Sequence, residues 1–190
     1  VEKNQKKSWW KKQLLSNYYY YDSNHHILTQ NLTPLKLLKI KYESFQYKIE
    51  VKEEVFERVK KKINDKGIKH FLIFHPSAQY QYKIYPKKLR DKLIRSLNKL
   101  EIPILVTGTN NDIDISIKKE LPLLENVYDF IGETSLEEYC ALSSLAKAYI
   151  GMDTLNMHIA ASQNKRIFAI FGPTNLRMWS PWSNQVKNSA

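Results

Sequence analysis

The chain has 190 residues, 43% of them hydrophobic and 12% aromatic, with 30 Lys+Arg against 19 Asp+Glu for a formal charge of +11, and one cysteine. That composition excludes a disordered chain, because the apolar content can offset the ordering entropy of one ordinary domain, with or without an appendage. It also excludes a disulfide scaffold: Cys140 has no partner in the chain, which points to a reducing, cytoplasmic setting. No apolar run approaches the roughly 18–20 residues that cross a bilayer, and Lys3, Lys6 and Lys7 are not followed by the apolar stretch of a signal peptide.

The charge is lopsided. Residues 1–70 hold 16 Lys+Arg and 8 Asp+Glu, net +8, which leaves 14 and 11, net +3, for residues 71–190. Such an excess fits nucleic acid, an anionic membrane surface or a phosphorylated small molecule, and charge alone does not choose among them. The first forty residues follow no regular period. They contain Trp9 and Trp10 beside Lys11 and Lys12, the run Tyr18 to Tyr21, and leucines that predict a short helix near 28–39 with a break at Thr33–Pro34. Residues 51–65 place Val51, Val55, Phe56, Val59 and Ile63 at helical spacing.

From residue 70 the pattern becomes regular. His70–His75 reads as a strand, and Pro86–Leu100 as a helix with Leu89, Leu93, Ile94, Leu97 and Leu100 on its apolar face. Ile102–Thr107 is the next strand, followed by a polar loop and a helix to about Leu121, then a strand at Val127–Phe130. Ser135 opens a helix in which Glu138 completes a capping box, and Leu136, Tyr139, Leu142 and Leu145 form the face to be buried. Ala148–Gly151 is a strand, Leu155–Ser162 a helix and Arg166–Phe171 a strand. Short apolar strands alternating with helices imply an α/β fold with a doubly wound parallel sheet of Rossmann-like type.

Ligands of such sheets sit at the carboxyl ends of the strands, where helix N-termini present unpaired N–H groups. The segments there are His75-Pro76-Ser77-Ala78, Gly108 to Asp112, Gly132 to Ser135, Gly151-Met152-Asp153-Thr154 with His158 a turn later, and Gly172-Pro173-Thr174. Ser77 and Ala78 let backbone amides approach a phosphate, and Lys83 supplies a point charge. Asp153 and Thr154 either cap a helix or hold its terminus against a diphosphate, and His158 is either a satisfied structural histidine or a ligand group. Asp112 either accepts a ribose hydroxyl or caps the next helix. No P-loop, no Gly-x-Gly-x-x-Gly and no metal-ligand spacing occurs, the His25-His26 pair being isolated.

Taken in order, His75-Pro-Ser-Ala with Lys83-x-Tyr-Pro86, Thr107-Gly108 with its acidic loop, Gly132-Glu-Thr-Ser-Leu-Glu-Glu, Gly151-Met-Asp-Thr-Leu-Asn-Met-His-Ile-Ala-Ala161 and Ile170-Phe-Gly-Pro-Thr174 resemble glycosyltransferase family 9, the heptosyltransferases of lipopolysaccharide core assembly. The resemblance covers about residues 70–182. It implies one half of a GT-B glycosyltransferase, with residues 1–50 an interdomain segment and remnant of the N-terminal half and residues 51–190 a nucleotide-sugar-binding domain. By the same resemblance Ser77, Ala78, Lys83, Asp153, Thr154, Leu155 and His158 bind the donor and its phosphates, and Asp112 binds the ribose. The implied reaction is inverting transfer from ADP-heptose to the lipopolysaccharide core, with no metal and no cofactor. The general base is expected in an N-terminal half ahead of Val1, so the chain is read as a fragment with the base outside it. The partners implied are the nucleotide-sugar donor and a membrane-anchored acceptor, with peripheral inner-membrane association and no nucleic acid. A basic single-strand-binding module built on Trp9, Trp10 and the tyrosine run, or another nucleotide-sugar-binding GT-B protein, is the alternative.

Overall fold

The computed structural model describes residues 10–41 and 49–182. Trp9 and Lys3, Lys6 and Lys7, on which part of the basic-arm reading rests, lie outside them. The chain divides into two compact units: Val1–Gln46 with Thr174–Ser180, and Tyr47–Pro173 with Pro181–Ala190.

The first unit contains α1 (Lys11–Leu14), α2 (Ile27–Asn31) and α3 (Thr33–Leu37). The break expected at Thr33–Pro34 is the α2–α3 junction, where Pro34, with no N–H, falls in the first turn of the new helix. The imidazole of His26 caps α2 by accepting from the Leu28 amide, and its other nitrogen donates to the Ser180 carbonyl at 2.8 Å. His25 turns the other way, to the Asp22 carboxylate. The Tyr21 hydroxyl meets the Met178 sulfur.

The second unit carries the sheet. In chain order it holds α4 (Glu53–Asn64), β1 (Leu72–His75), a 3-10 turn (Gln81–Lys83), α5 (Lys87–Asn98), β2 (Ile104–Gly108), α6 (Asp112–Lys119), β3 (Val127–Ile131), α7 (Leu136–Leu145), β4 (Ala148–Met152), α8 (Leu155–Ser162) and β5 (Arg166–Ile170). The last helix, α9 (Leu176–Trp179), belongs to the first unit. All five strands are parallel in the order β3-β2-β1-β4-β5. Alternate strand residues feed two cores. Ile73, Leu105, Phe130 and Tyr149 pack with Val55, Val59 and Ile63 of α4, Leu142 of α7 and Met157 of α8. Leu72, Phe74, Ile104, Val106 and Ile150 pack with Ile94 and Leu97 of α5 and Ile117 of α6. Both faces of the central strands are covered, which is why they are apolar without alternation.

Three details differ from the sequence pattern. In α5 Leu89 and Leu100 are exposed while Arg90 is buried, its stem packed and its guanidinium donating to Glu120 at 2.7 Å. Leu136, the first residue of α7, is exposed at the carboxyl edge of the sheet. Arg166 and Phe168 of β5 face outward, because this strand has only β4 as neighbour and α8 packs on one of its faces. No helix among the described residues is long and apolar enough to cross a membrane.

Candidate functional site

The strand order reverses between β1 and β4: the chain runs from β1 outward to β2 and β3, then returns to lay β4 on the other side of β1. A parallel sheet opens a crevice at such a point, because the loops after the two strands leave in opposite directions. A cleft of about 380 Å³ lies there. Gly151 fixes its floor. It pairs with His75, and a Cβ at this position would come 2.3 Å from the His75 carbonyl oxygen. Only a residue without a side chain lets the two strands pair so close to their ends.

From the β1 side the cleft is lined by Ser77, Ala78, Tyr80 and Lys83, and from the β4 side by Asp153, Thr154, Leu155 and Asn156. The Lys83 ammonium lies 3.5 Å from the Asp153 carboxylate, with the aspartate side chain 7% exposed and the lysine 23%. Asp153 thus holds the one lysine of the cleft over its mouth. Thr154 is the N-cap of α8 but its side chain makes no cap hydrogen bond, so the first turn of α8 presents amides to the cleft without a side-chain acceptor. The two other helices that begin at this rim are already capped, α6 by Asn111 and α7 by the Ser135–Glu138 capping box. A positive helix terminus, small residues after a strand and an anchored lysine converge on one spot, an arrangement that favours phosphate.

Two buried polar groups form the floor. His75 Nδ1 faces the Asn156 side-chain amide at 3.0 Å and the Thr107 hydroxyl at 3.2 Å. An amide NH2 only donates, so Nδ1 accepts and the ring proton sits on Nε2. Burial pushes the imidazole down to about 4, against the opposing pull of Asp114 and Thr107; the ring is neutral at pH 7 and contributes no cation. Asp114 gathers the loop after β2 onto one carboxylate oxygen, Oδ2, which accepts from the Thr109 amide, the Thr109 hydroxyl at 2.9 Å and the Asn111 side chain at 3.1 Å. Its other oxygen is closed off from solvent. Tyr139, also at the floor, is buried, which raises its phenol well above the ordinary value.

Of the residues singled out from the sequence, Ser77, Ala78, Lys83, Asp153, Thr154 and Leu155 line the cleft together. His158, one turn further along α8, is partly buried and is not among the lining residues. Asp112 is the first residue of α6 and lines a neighbouring depression with Tyr85, Pro86, Arg90 and Glu120. The acidic residue of α6 that reaches the cleft is Asp114, two positions on. The difference is helical phase: with Asn111 as the cap, Asp112 begins the outer side of the turn and Asp114 the inner. Tyr80, Asn156, Thr109 and Tyr139 also line the cleft; being isolated side chains in loops or helices, they left no pattern to read.

A five-stranded parallel sheet in this order, with a phosphate-favouring cleft at its switch point, defines a Rossmann-like half of the kind found in GT-B glycosyltransferases. Residues 13–190 match the family model for glycosyltransferase family 9 (heptosyltransferase). The chain belongs to that family. It is 24% identical over 165 residues to lipopolysaccharide heptosyltransferase 3 of Escherichia coli strain K12, covering 85% of this chain and 48% of that protein. Its fold matches that of a family 9 glycosyl transferase from Veillonella parvula with a TM-score of 0.78 at 18% identity, over 90% of this chain and 51% of that one. It matches E. coli heptosyltransferase WaaC with ADP with a TM-score of 0.65 at 15% identity, over 90% and 52%. The chain spans about half the length of the curated relatives it matches.

Proposed function

We propose that this chain is the donor-binding half of a heptosyltransferase, that its cleft holds the diphosphate of ADP-heptose, and that the sugar is transferred with inversion to a lipopolysaccharide core acceptor. The carrying observation is the Lys83–Asp153 pair at 3.5 Å beside the α8 N-cap Thr154, whose side chain makes no cap hydrogen bond. Relatives named as lipopolysaccharide heptosyltransferases and a matching structure solved with ADP support the donor and acceptor assignment.

In the reaction an acceptor hydroxyl oxygen attacks the anomeric carbon from the face opposite the diphosphate. The carbon–oxygen bond to the diphosphate breaks and ADP departs with the electron pair, while the hydroxyl proton passes to a general base. Lys83, the amides after β1 and the first turn of α8 stabilise the charge that develops on the leaving group. These groups take the place that a divalent ion fills elsewhere, so the transfer is metal-independent. No residue of this chain is assigned as the base; we place it in the half of the relatives that this chain does not span. Residues 1–50 join the halves, residues 51–190 bind the donor, and the donor-facing set is Ser77, Ala78, Lys83, Asp153, Thr154 and Leu155, with His158 one turn further along α8 and Asp112 in the depression beside the cleft. The basic first unit, with Trp10, Leu14, Tyr20 and Tyr21 exposed, meets the anionic membrane surface on which the acceptor is anchored.

Calorimetric titration of the chain with ADP tests the site. Binding should be present and should weaken about tenfold or more on Lys83→Ala, the effect of losing a charge-assisted contact. Absence of ADP binding by the unmodified chain, or unchanged affinity in the Lys83 variant, would refute the assignment.

A further inference from the structure

One feature of the cleft is not used by a diphosphate. Tyr80 lines the mouth, and Tyr82 stacks on it with ring centroids 5.6 Å apart and planes 19° from parallel. Both are exposed, at 52% and 67%. The other aromatic residue in the lining, Tyr139, is buried and offers no ring face. The pair is held in place by the 3-10 turn, whose Lys83 amide donates to the Tyr80 carbonyl at 2.9 Å and whose Ile84 amide donates to the Gln81 carbonyl at 3.1 Å. The same turn ends on Lys83, whose ammonium is anchored to Asp153.

We propose that Tyr80 and Tyr82 are a stacking platform for a saccharide ring beside the diphosphate, an assignment that rests on the donor reading above. The C–H face of a pyranose carries partial positive charge and the face of a phenol ring carries negative quadrupole density, so the two attract while water leaves both apolar surfaces. The phenolic hydroxyls at the ring tips meet sugar hydroxyls. A turn three residues long fixes the platform relative to the cation, so the ring it holds is one attached to, or lying next to, the phosphate that Lys83 neutralises. Thr109, Asn111 and Thr134, which also line the cleft, follow β2 and β3 rather than β1 and leave the nucleoside the opposite end of the cleft. The ring is the donor's sugar or the acceptor's, and the two share one chemistry.

The test compares Tyr80→Ala, Tyr82→Ala and Tyr80→Phe with the unmodified chain, titrating each with ADP, ADP-heptose and a heptose-containing core oligosaccharide, with circular dichroism to verify folding. Both alanine variants should bind ADP within about twofold of the unmodified chain and lose about three- to tenfold in affinity for ADP-heptose if the donor ring stacks, or for the oligosaccharide if the acceptor ring does; Tyr80→Phe should retain most of the affinity. The proposal is overturned if neither saccharide ligand is weakened, if ADP is weakened by the same factor as ADP-heptose (stacking on the base), or if Tyr80→Phe loses as much as Tyr80→Ala. Failure of the unmodified chain to bind ADP would sink the donor reading and the platform with it, whereas intact ADP binding with indifferent tyrosines removes the platform alone.

Discussion

His75 makes the stability of this fold acid-sensitive by a calculable amount. Its imidazole is buried and held near pKa 4, against 6.5 for a free histidine. Between those values the unfolded chain binds a proton that the folded chain does not, so the histidine's stability contribution is complete above pH 6.5 and is lost as pH falls through 6.5 towards 4. Going from pH 7 to pH 4.5 should cost about 2.5 kcal/mol from this one group, since each unit of separation is about 1.4 kcal/mol. Carboxylates contribute in the same direction: Lys62 lowers Glu133, the Ser135 amide lowers Glu138 and Arg90 lowers Glu120. The measurement is therefore a difference. In His75→Asn the side-chain oxygen stands where Nδ1 accepts, while the titrating group is gone. Urea denaturation followed by circular dichroism at pH 7.0 and 4.5 should show the variant losing about 2.5 kcal/mol less than the unmodified chain, whatever its stability at pH 7. Losses equal within about 0.5 kcal/mol would mean that His75 is not a buried neutral base and that the floor of the cleft has been misread.

Gly151→Ala should lose about 3 kcal/mol or more, because the new methyl meets a backbone oxygen that cannot move without parting β1 from β4; a urea midpoint close to that of the unmodified chain would show that the sheet end relaxes. Ser135→Ala should cost about 1 kcal/mol, or about 2–4 °C in thermal midpoint, through loss of the Glu138 amide's acceptor in the capping box, and an unchanged midpoint would count against the cap. In the Lys83–Asp153 pair, Asp153→Asn should weaken ADP binding less than Lys83→Ala does, and the double variant should match Lys83→Ala alone, since the carboxylate acts by orienting the ammonium. Additive losses in that calorimetric cycle would mean that Asp153 touches the ligand independently.

The sheet was legible in the sequence because its strands are short apolar runs separated by helices of clear period, and each of the five strands and the helices between them falls within two residues of its expected bounds. The capping box at Ser135 was legible for the same kind of reason, being a local pattern with a local structural meaning. What resisted reading was helical phase at the ends. Leu89, Leu100 and Leu136 share a period with core residues yet lie exposed, two of them in the first turns of their helices and the third past the end of α5. Arg90 takes an inward position because its stem is apolar and Glu120 stands ready to receive its head. The same sensitivity separates Asp112 from Asp114. A cap at Asn111, one residue earlier than the Asp112 the loop pattern offers, moves the outer acid out of the cleft and draws the inner one into a role the sequence does not advertise, gathering Thr109 and Asn111.

The formal charge of +11 suggested an anionic partner from the start, but it does not explain the cleft. By formal charge the described residues that line the cleft include one Lys, Lys83, and two Asp, Asp153 and Asp114, while His75 is neutral. Formal charge there is therefore negative, and a site that relied on it would repel a diphosphate. What favours the anion is orientation: the uncapped first turn of α8, the amides after β1, and an ammonium that Asp153 keeps over the mouth rather than free in solvent. Fixed dipoles and one anchored charge lose little by reorganisation when an anion enters, whereas a loose cluster of lysines must be ordered first. The surplus lysines lie elsewhere, mostly in the first seventy residues. The basicity of the chain and the anion-favouring geometry of its cleft thus have separate physical origins, one a property of composition and the other of where a strand order reverses.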